Sequence, residues 1–179
     1  MLTRLAASRV GRSASQPPMA DKLREECGVF GIRTGGAAAA PFVHLGLYAL
    51  QHRGQESAGI ATFDGRQTHL VKDMGLVANV FTPERLASLP GSTGIGHVRY
   101  STMGSASREN AQPFLEHSRW GTVALAHNGN LVNAPLLRRD LEAAGHCFRA
   151  TSDTEVITKL IATSRARTVE EAIAGCMRR

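Results

Sequence analysis

The chain has 179 residues, of which 42% are hydrophobic and 20% charged, as in an ordinary soluble globular domain. Its apolar runs fall far short of the roughly 20 residues of a membrane span, and its formal charge of +6 comes from scattered basic residues with few aromatics between them. Neither membrane insertion nor nucleic-acid binding is therefore expected. The three cysteines form no CxxC pair, which argues against a disulfide framework or a structural metal site and favours a reducing, cytoplasmic compartment.

The first 26 residues differ in composition from the rest. Residues 1–18 are rich in Arg, Ser and Ala, contain no acidic residue and end in Pro17-Pro18, a composition typical of an organellar transit peptide. A mis-assigned start, with Met19 as the true first residue, is the favoured alternative. In both cases residues 1–18 are expected to be disordered, residues 1–26 to be a leader or propeptide, and residues 27–179 to form the domain.

Taken in chain order, hydrophobic patterns and turn residues predict a mixture of strands and helices. The strands are predicted over 29–32, 58–63, 68–72, 95–100 and 122–127, and the helices over 42–50, 83–88, 135–144, 152–163 and from 168 to the end. Asp64-Gly65 predicts a two-residue hairpin turn, and the runs 152–155 and 168–171 have the pattern of capping boxes. Because the strands precede the helices in blocks, an α+β fold with antiparallel sheet and flanking helices is predicted.

Four polar clusters fall at strand ends and in Gly-rich turns, namely residues 51–59, 96–102, 127–130 and 152–155. Each is weak by itself. Asn128-Gly129 is the commonest hairpin dipeptide, Asp153 is a favourable charge at a helix N-terminus, and Arg99 fits the polar face of a strand. A lone Cys27 is most often a small buried hydrophobe.

Together the clusters have the composition of a site for an α-amino acid amide. Arg99 suits a carboxylate, because a guanidinium binds it through two hydrogen bonds, and Asp153 suits an ammonium group. Asn128 and the N–H of Gly129 can stabilise an oxyanion, while Cys27 attacks the side-chain carbonyl. A free α-amine on Cys27, with a pKa of about 7.7–8.0, can take the thiol proton. This chemistry requires cleavage of the Glu26–Cys27 bond.

Six motifs resemble, in order and spacing, those of the class II glutamine amidotransferases, with the closest likeness to the amidophosphoribosyltransferase branch. They cover residues 27 to about 175 and are Cys27–Gly31, residues 51–59 and 96–104, Asn110-Ala111-Gln112-Pro113, His127–Leu131 and Ser152–Glu155. The resemblance implies an N-terminal-nucleophile (Ntn) hydrolase fold, an αββα sandwich of two antiparallel sheets between helix layers.

The resemblance also implies site residues. Cys27 matches the nucleophile exposed when a propeptide is removed, and Asn128 with Gly129 matches the oxyanion hole. Arg99 and Asp153 match the residues that hold the α-carboxylate and α-amino groups of glutamine. Two further residues match the lining of the glutamine pocket, Arg53 and Thr102.

The implied activity is glutamine hydrolysis coupled to the first committed step of purine synthesis. Ammonia passes to phosphoribosyl pyrophosphate in a C-terminal phosphoribosyltransferase domain, which gives phosphoribosylamine, glutamate and pyrophosphate. No cofactor or metal is expected in residues 27–179. Family enzymes use Mg²⁺, and some carry a 4Fe–4S cluster in the C-terminal part. Cys147 and Cys176 do not match the cysteines that bind this cluster. A homo-oligomer is expected for the full-length enzyme.

The family sequences continue beyond the position of Arg179 into further strands and the transferase domain. We therefore expect a domain truncated before its last strands, with low stability when isolated. Three alternatives stay open: a sugar-phosphate aminotransferase of the same class, an inactive truncated product, and a Cys/His protease that uses His52, His97 or His127.

Overall fold

A computed structural model describes residues 27–100 and 107–179. Its strands are β1 (Gly28–Arg33), β2 (Ser57–Phe63), β3 (Thr68–Met74), β4 (Thr93–Arg99), β5 (Phe114–Ser118) and β6 (Gly121–Leu125). Its helices are α1 (Ala40–Ala49), α2 (Val77–Val80), α3 (Pro83–Ala87), α4 (Ala134–Ala143), α5 (Asp153–Ala162) and α6 (Val169–Met177).

The first four strands form one antiparallel sheet in the order β1-β4-β2-β3. The strand β4 lies between β1 and β2, and its register pairs His97 with Gly59 and Arg99 with Ser57. The central strands are the most deeply buried ones. Residues at the end of β4 are therefore held on both sides by strand pairing.

Helix α1 packs closely against β4 because two glycines leave room for it. A Cβ on Gly96 would lie 2.8 Å from Leu47 Cδ1, and one on Gly94 would lie 3.0 Å from Val43 Cγ2. The resulting core also includes α2 and the segment after it, with these fully or nearly fully buried residues: Ala40, Val43, Leu47, Ala58, Ile60, Val77, Val80, Phe81, Leu89 and Val98.

The remaining strands, β5 and β6, pair as a second antiparallel sheet over the other face of the first. Helix α5 packs on this second sheet, and α4 and α6 pack on α5. A second core cluster joins Leu137 and Leu141 of α4 to Val156 of α5. The layer order is thus helix, sheet, sheet, helix, as the predicted αββα sandwich requires.

Several sequence predictions were incomplete or wrong. Strand β5 and helix α2 were missed, because both are short and carry no distinctive turn signal. The β2–β3 hairpin loop spans residues 64–67 rather than two residues, since the Asp64 carboxylate accepts hydrogen bonds from the Arg66 and Gln67 N–H groups and shapes a longer turn.

The periodicity of residues 42–50 predicts an apolar helix side made of Phe42, Leu45, Tyr48 and Ala49, but this side of α1 faces solvent. Phe42, Leu45 and Tyr48 are 46%, 64% and 61% exposed, whereas Ala40, Val43 and Leu47 form the buried side.

The two capping boxes are only half formed. Ser152 and Thr168 cap their helices. The Glu155 carboxylate accepts from the N–H groups of Arg149 and Ala150 instead of Ser152, and the Glu171 carboxylate accepts from the N–H group of Arg167. Among the described residues, no helix is both long and apolar enough to cross a membrane.

Candidate active site

Cys27 lies immediately before β1, beside the end of β4. Its Sγ is 3.5 Å from the backbone N and 3.6 Å from the backbone O of Tyr100. Its own carbonyl accepts hydrogen bonds from Arg53 Nε at 2.8 Å and from Asn128 Nδ2 at 3.4 Å. The residue has φ +51°, a left-handed conformation that costs a non-glycine residue about 1–2 kcal/mol.

Arg99, the last residue of β4, presents a buried guanidinium to the same pocket. It is only 5% exposed, and its Nη1 forms an ion pair with the Glu56 carboxylate. Glu56 directly precedes β2, whose first residue pairs with Arg99 in the sheet. The ion pair therefore fixes the direction of a charge that is already held by the strand.

Asp153 is the first residue of α5, which follows the Ser152 cap. Its Oδ2 accepts a hydrogen bond from Leu131 N at 2.8 Å. The Asp153 carboxylate thus ties the start of α5 to the turn that carries Asn128 and Gly129. In that turn, the His127 imidazole lies over Gly129, where a Cβ would come within 2.8 Å of His127 Nε2.

One pocket collects most of the predicted site. Its lining residues are Cys27, Arg99, Tyr100, Gln112, His127, Gly129, Asn130, Ser152 and Asp153. Asn128 reaches it through its contact with the Cys27 carbonyl, and Arg53 contacts that same carbonyl. Thr102, the remaining predicted residue, lies outside the described residues.

Three residues near Cys27 were not assigned a role from the sequence. Glu56 and Gln112 were noted only within longer motifs, and the backbone of Tyr100 contacts the thiol through β4. The sequence signal that could have pointed to Glu56 is its place in a polar turn, two positions after Gly54, where a carboxylate can pair with a nearby basic side chain. The position of Gln112 has no such signal, because its partner is the distant backbone of His127.

His97 lies on the same face of β4 as Arg99 and is fully buried. Neither ring nitrogen meets strict hydrogen-bond geometry with a described residue, and the nearby His127 backbone only partly offsets the effect of burial on the imidazole pKa. Burial lowers the pKa of His97 to about 4, so the imidazole is neutral at physiological pH. A neutral, enclosed histidine cannot be reached by a protein substrate, which disfavours His97 as the base of a protease.

In the part of the chain that the structure describes, no group of three or more His, Cys, Asp or Glu residues is placed to hold a metal ion. Cys147 is exposed and Cys176 lies in α6. Burial raises the pKa of the Cys176 thiol, so this cysteine is a poor nucleophile at neutral pH.

Comparison with known proteins gives the family of this domain. Residues 97–177 match the family described as "Glutamine amidotransferase domain". The chain is 56% identical over 137 residues to an amidophosphoribosyltransferase of Synechococcus elongatus and 49% identical over 156 residues to that of Methanocaldococcus jannaschii. The chain carries a glutamine amidotransferase domain of the amidophosphoribosyltransferase type. A chloroplastic relative from Vigna aconitifolia is 53% identical over 147 residues.

Solved structures give the same family and the fold. The structure described as the allosteric regulatory enzyme of purine biosynthesis aligns with a TM-score of 0.76 at 44% identity, over 84% of this chain and 32% of that one. The glutamine phosphoribosylpyrophosphate amidotransferase from B. subtilis aligns with a TM-score of 0.72 at 42% identity, over 86% of this chain and 32% of that one. The amidotransferase domain therefore has the Ntn hydrolase fold.

The matches cover only part of each relative. The three sequence alignments cover 76%, 86% and 82% of this chain. They cover only 28%, 33% and 30% of the Synechococcus, Methanocaldococcus and Vigna proteins, respectively. The chain thus spans about a third of the length of the curated relatives that it matches.

Proposed function

We propose that the chain is the glutaminase part of an amidophosphoribosyltransferase and that Cys27 is its nucleophile. One observation carries the proposal: a thiol, a buried guanidinium and a carboxylate line a single pocket, with the Asn128 amide at the nucleophilic residue. These are the groups needed to hold an α-amino acid and to open its side-chain amide.

Cleavage between Glu26 and Cys27 is the first step of the proposal. The free α-amine, with a pKa of about 7.7–8.0, then serves as the base beside the thiol. The left-handed conformation of Cys27 supports this step. The steric constraint on φ of Cys27 comes from the peptide group that precedes it. Cleavage of the Glu26–Cys27 bond removes this group and with it the strain.

Glutamine recognition is assigned to opposite charges on either side of the pocket. Arg99 binds the α-carboxylate through its planar donors, and Glu56 keeps the guanidinium oriented. Asp153 binds the α-ammonium group with an oxygen not needed by Leu131. We also propose Thr102 as a lining residue and Arg53 as a donor that holds the Cys27 backbone in place.

The reaction follows from these positions. The Cys27 thiolate attacks the carboxamide carbon of glutamine, and the oxyanion is stabilised by Asn128 Nδ2 and the Gly129 N–H. The protonated α-amine of Cys27 gives its proton to the leaving nitrogen of the carboxamide. The C–N bond breaks, ammonia departs and a glutamyl thioester forms on Cys27. Water, deprotonated by the same amine, then cleaves the thioester and releases glutamate with the thiol restored.

The whole enzyme is proposed to use the ammonia in a phosphoribosyltransferase domain beyond this chain. There, ammonia displaces pyrophosphate from phosphoribosyl pyrophosphate to give phosphoribosylamine. The names of the relatives support this assignment over a sugar-phosphate aminotransferase. A homo-oligomer and a cytoplasmic location stay predictions.

The decisive experiment measures N-terminal processing and glutamine hydrolysis together. The full chain is purified, mass spectrometry gives the fraction that begins at Cys27, and glutamate release is assayed with glutamine. Release is expected in proportion to that fraction and is expected to be abolished in Cys27→Ala, while Cys147→Ala keeps full activity. Activity in molecules that retain Glu26, or no release by processed protein, would contradict the proposal.

A further inference from the structure

The buried segment Asn110–Gln112 joins the first sheet to the loops of the pocket. Asn110, Ala111 and Gln112 are 1%, 0% and 5% exposed. The segment rests on the first sheet at Gly59, where a Cβ would lie 2.9 Å from the Gln112 carbonyl carbon. Lys72 Nζ donates to the Ala111 carbonyl, which ties the segment to β3 as well.

The Gln112 side chain uses both ends of its amide on one backbone residue. Its Oε1 accepts from His127 N at 2.7 Å, and its Nε2 donates to His127 O at 3.2 Å. An amide that makes both bonds fixes the distance and the orientation of its partner, as in a pair of strand residues. His127 directly precedes Asn128.

The other end of the same turn is also fixed. The Asp153 carboxylate holds Leu131 N, so the turn is tied at His127 by Gln112 and at Leu131 by Asp153. Asn128 and Gly129 lie between these two ties. A shift at His127 would move both proposed oxyanion donors relative to Cys27.

We propose that Gln112 is a positioning residue for glutamine hydrolysis, which sets the oxyanion turn at its distance from the Cys27 thiol. The inference rests on the proposed function. The oxyanion exists only during the reaction, so a misplaced turn lowers kcat. Arg99 and Asp153 bind the ground state and are held by their own contacts with Glu56 and with Leu131 N, so KM for glutamine changes little.

The test uses the full chain and two variants of Gln112. Gln112→Glu keeps an acceptor for His127 N–H but faces the His127 carbonyl with an oxygen that cannot donate. Gln112→Met removes both hydrogen bonds without adding charge. Loss of one oxyanion donor typically costs about 100- to 1,000-fold, and a displaced donor costs less, so we expect kcat to fall about 10- to 100-fold with KM within about threefold.

The matched control is Val80→Ala, a buried residue in the first core cluster, on the opposite face of the first sheet. This variant should lower Tm yet keep kcat within about twofold at a temperature where it is folded. All rates are divided by the fraction of molecules that begin at Cys27. Hydrogen exchange at the His127 amide gives a second readout: it should be faster in Gln112→Met, which removes the acceptor of this N–H, and unchanged in Val80→Ala.

The outcomes separate the two proposals. A processed wild-type chain that releases no glutamate overturns the proposed function. An active wild type whose Gln112→Met variant keeps its kcat, or whose KM rises as much as kcat falls, overturns the positioning role alone. Unchanged exchange at the His127 amide in Gln112→Met overturns it as well.

Discussion

The side chains of the pocket are held chiefly by backbone groups. The Cys27 thiol contacts the backbone of Tyr100, Asp153 holds Leu131 N, and Gln112 holds His127. Backbone partners are fixed by strand and helix geometry, so they lose little conformational entropy when substrate binds. The site therefore gains its order from the scaffold.

The sequence identified most of the residues that line the pocket, but it did not identify the contacts that hold them in place. Cys27, Arg99 and Asp153 carry side chains whose chemistry can be named without a structure. The roles of Glu56 and Gln112 depend on partners 43 and 15 residues away. Such distant pairs leave no local pattern in a single sequence.

His97 should make the fold sensitive to mild acid. Its pKa is lowered by burial to about 4 from an ordinary 6.5, so the unfolded chain binds the proton at a higher pH than the folded chain. Stability is then lost as pH falls from about 6.5 to 4, by up to about 3 kcal/mol at the lower limit.

Urea unfolding at pH 7, 6 and 5 measures this effect above the range where most carboxylates titrate. The His97→Gln variant should show a flatter dependence on pH, because glutamine does not titrate. His117→Gln, at an exposed position of β5, should keep the wild-type slope. Equal slopes for His97→Gln and the wild type would refute the assignment.

At the scale of elements, β4 organises the molecule by presenting different residues to its two faces. Gly94 and Gly96 face α1 and admit it closely, while Ile95 lines the space between the sheets and Arg99 lines the pocket. The alternation follows from the period of two in a strand. One strand therefore supplies both the surface on which α1 packs and a residue that lines the pocket.

Gly59→Ala should damage both stability and activity. A Cβ at this position overlaps the Gln112 carbonyl and lies 2.8 Å from Lys72 Cβ. The obstacle is backbone, so the segment Asn110–Gln112 must move. We expect a loss of about 1–3 kcal/mol in unfolding free energy and a lower kcat for glutamine hydrolysis in the folded fraction.

The matched control is Gly31→Ala on β1 of the same sheet. Its Cβ would make only ordinary contacts, 3.6 Å from Ile95 Cγ2 and 3.9 Å from the Gly94 carbonyl oxygen. Thermal denaturation should show a Tm close to wild type for Gly31→Ala and a clear decrease for Gly59→Ala. A Gly59→Ala variant as stable and active as Gly31→Ala would show that the close approach has no consequence.

At the scale of the whole molecule, the two sheets enclose a cleft of about 490 Å³. Its lining includes Phe63 of β2, Ile95 of β4 and Ala124 of β6. Trp120 borders the cleft and is held in place by a hydrogen bond from its Nε1 to the Arg167 carbonyl. Among the described residues, the space between the two sheets is thus not completely filled by side chains.

An apolar dye such as anilinonaphthalene sulfonate should bind in this cleft under native conditions. Trp120 is the one tryptophan of the chain, so energy transfer from it to the dye reports binding nearby. Ala124→Arg should suppress the transfer, since a long charged side chain occupies apolar space. Ala49→Arg, on the exposed side of α1, should leave it unchanged; equal signals from the two variants would place the dye elsewhere.

The sequence by itself determined the composition of the site and the α+β class. Cysteine, arginine, aspartate and the Asn-Gly pair have definite chemistry wherever they lie, and the periodicity of strands and helices is a local property. Only the tertiary structure decided that Gly59 admits the Gln112 segment, that Gln112 holds His127, and that Asp153 ties Leu131 to the start of α5. These contacts depend on which strands pair and on how the two sheets stack, and both are set by long-range packing.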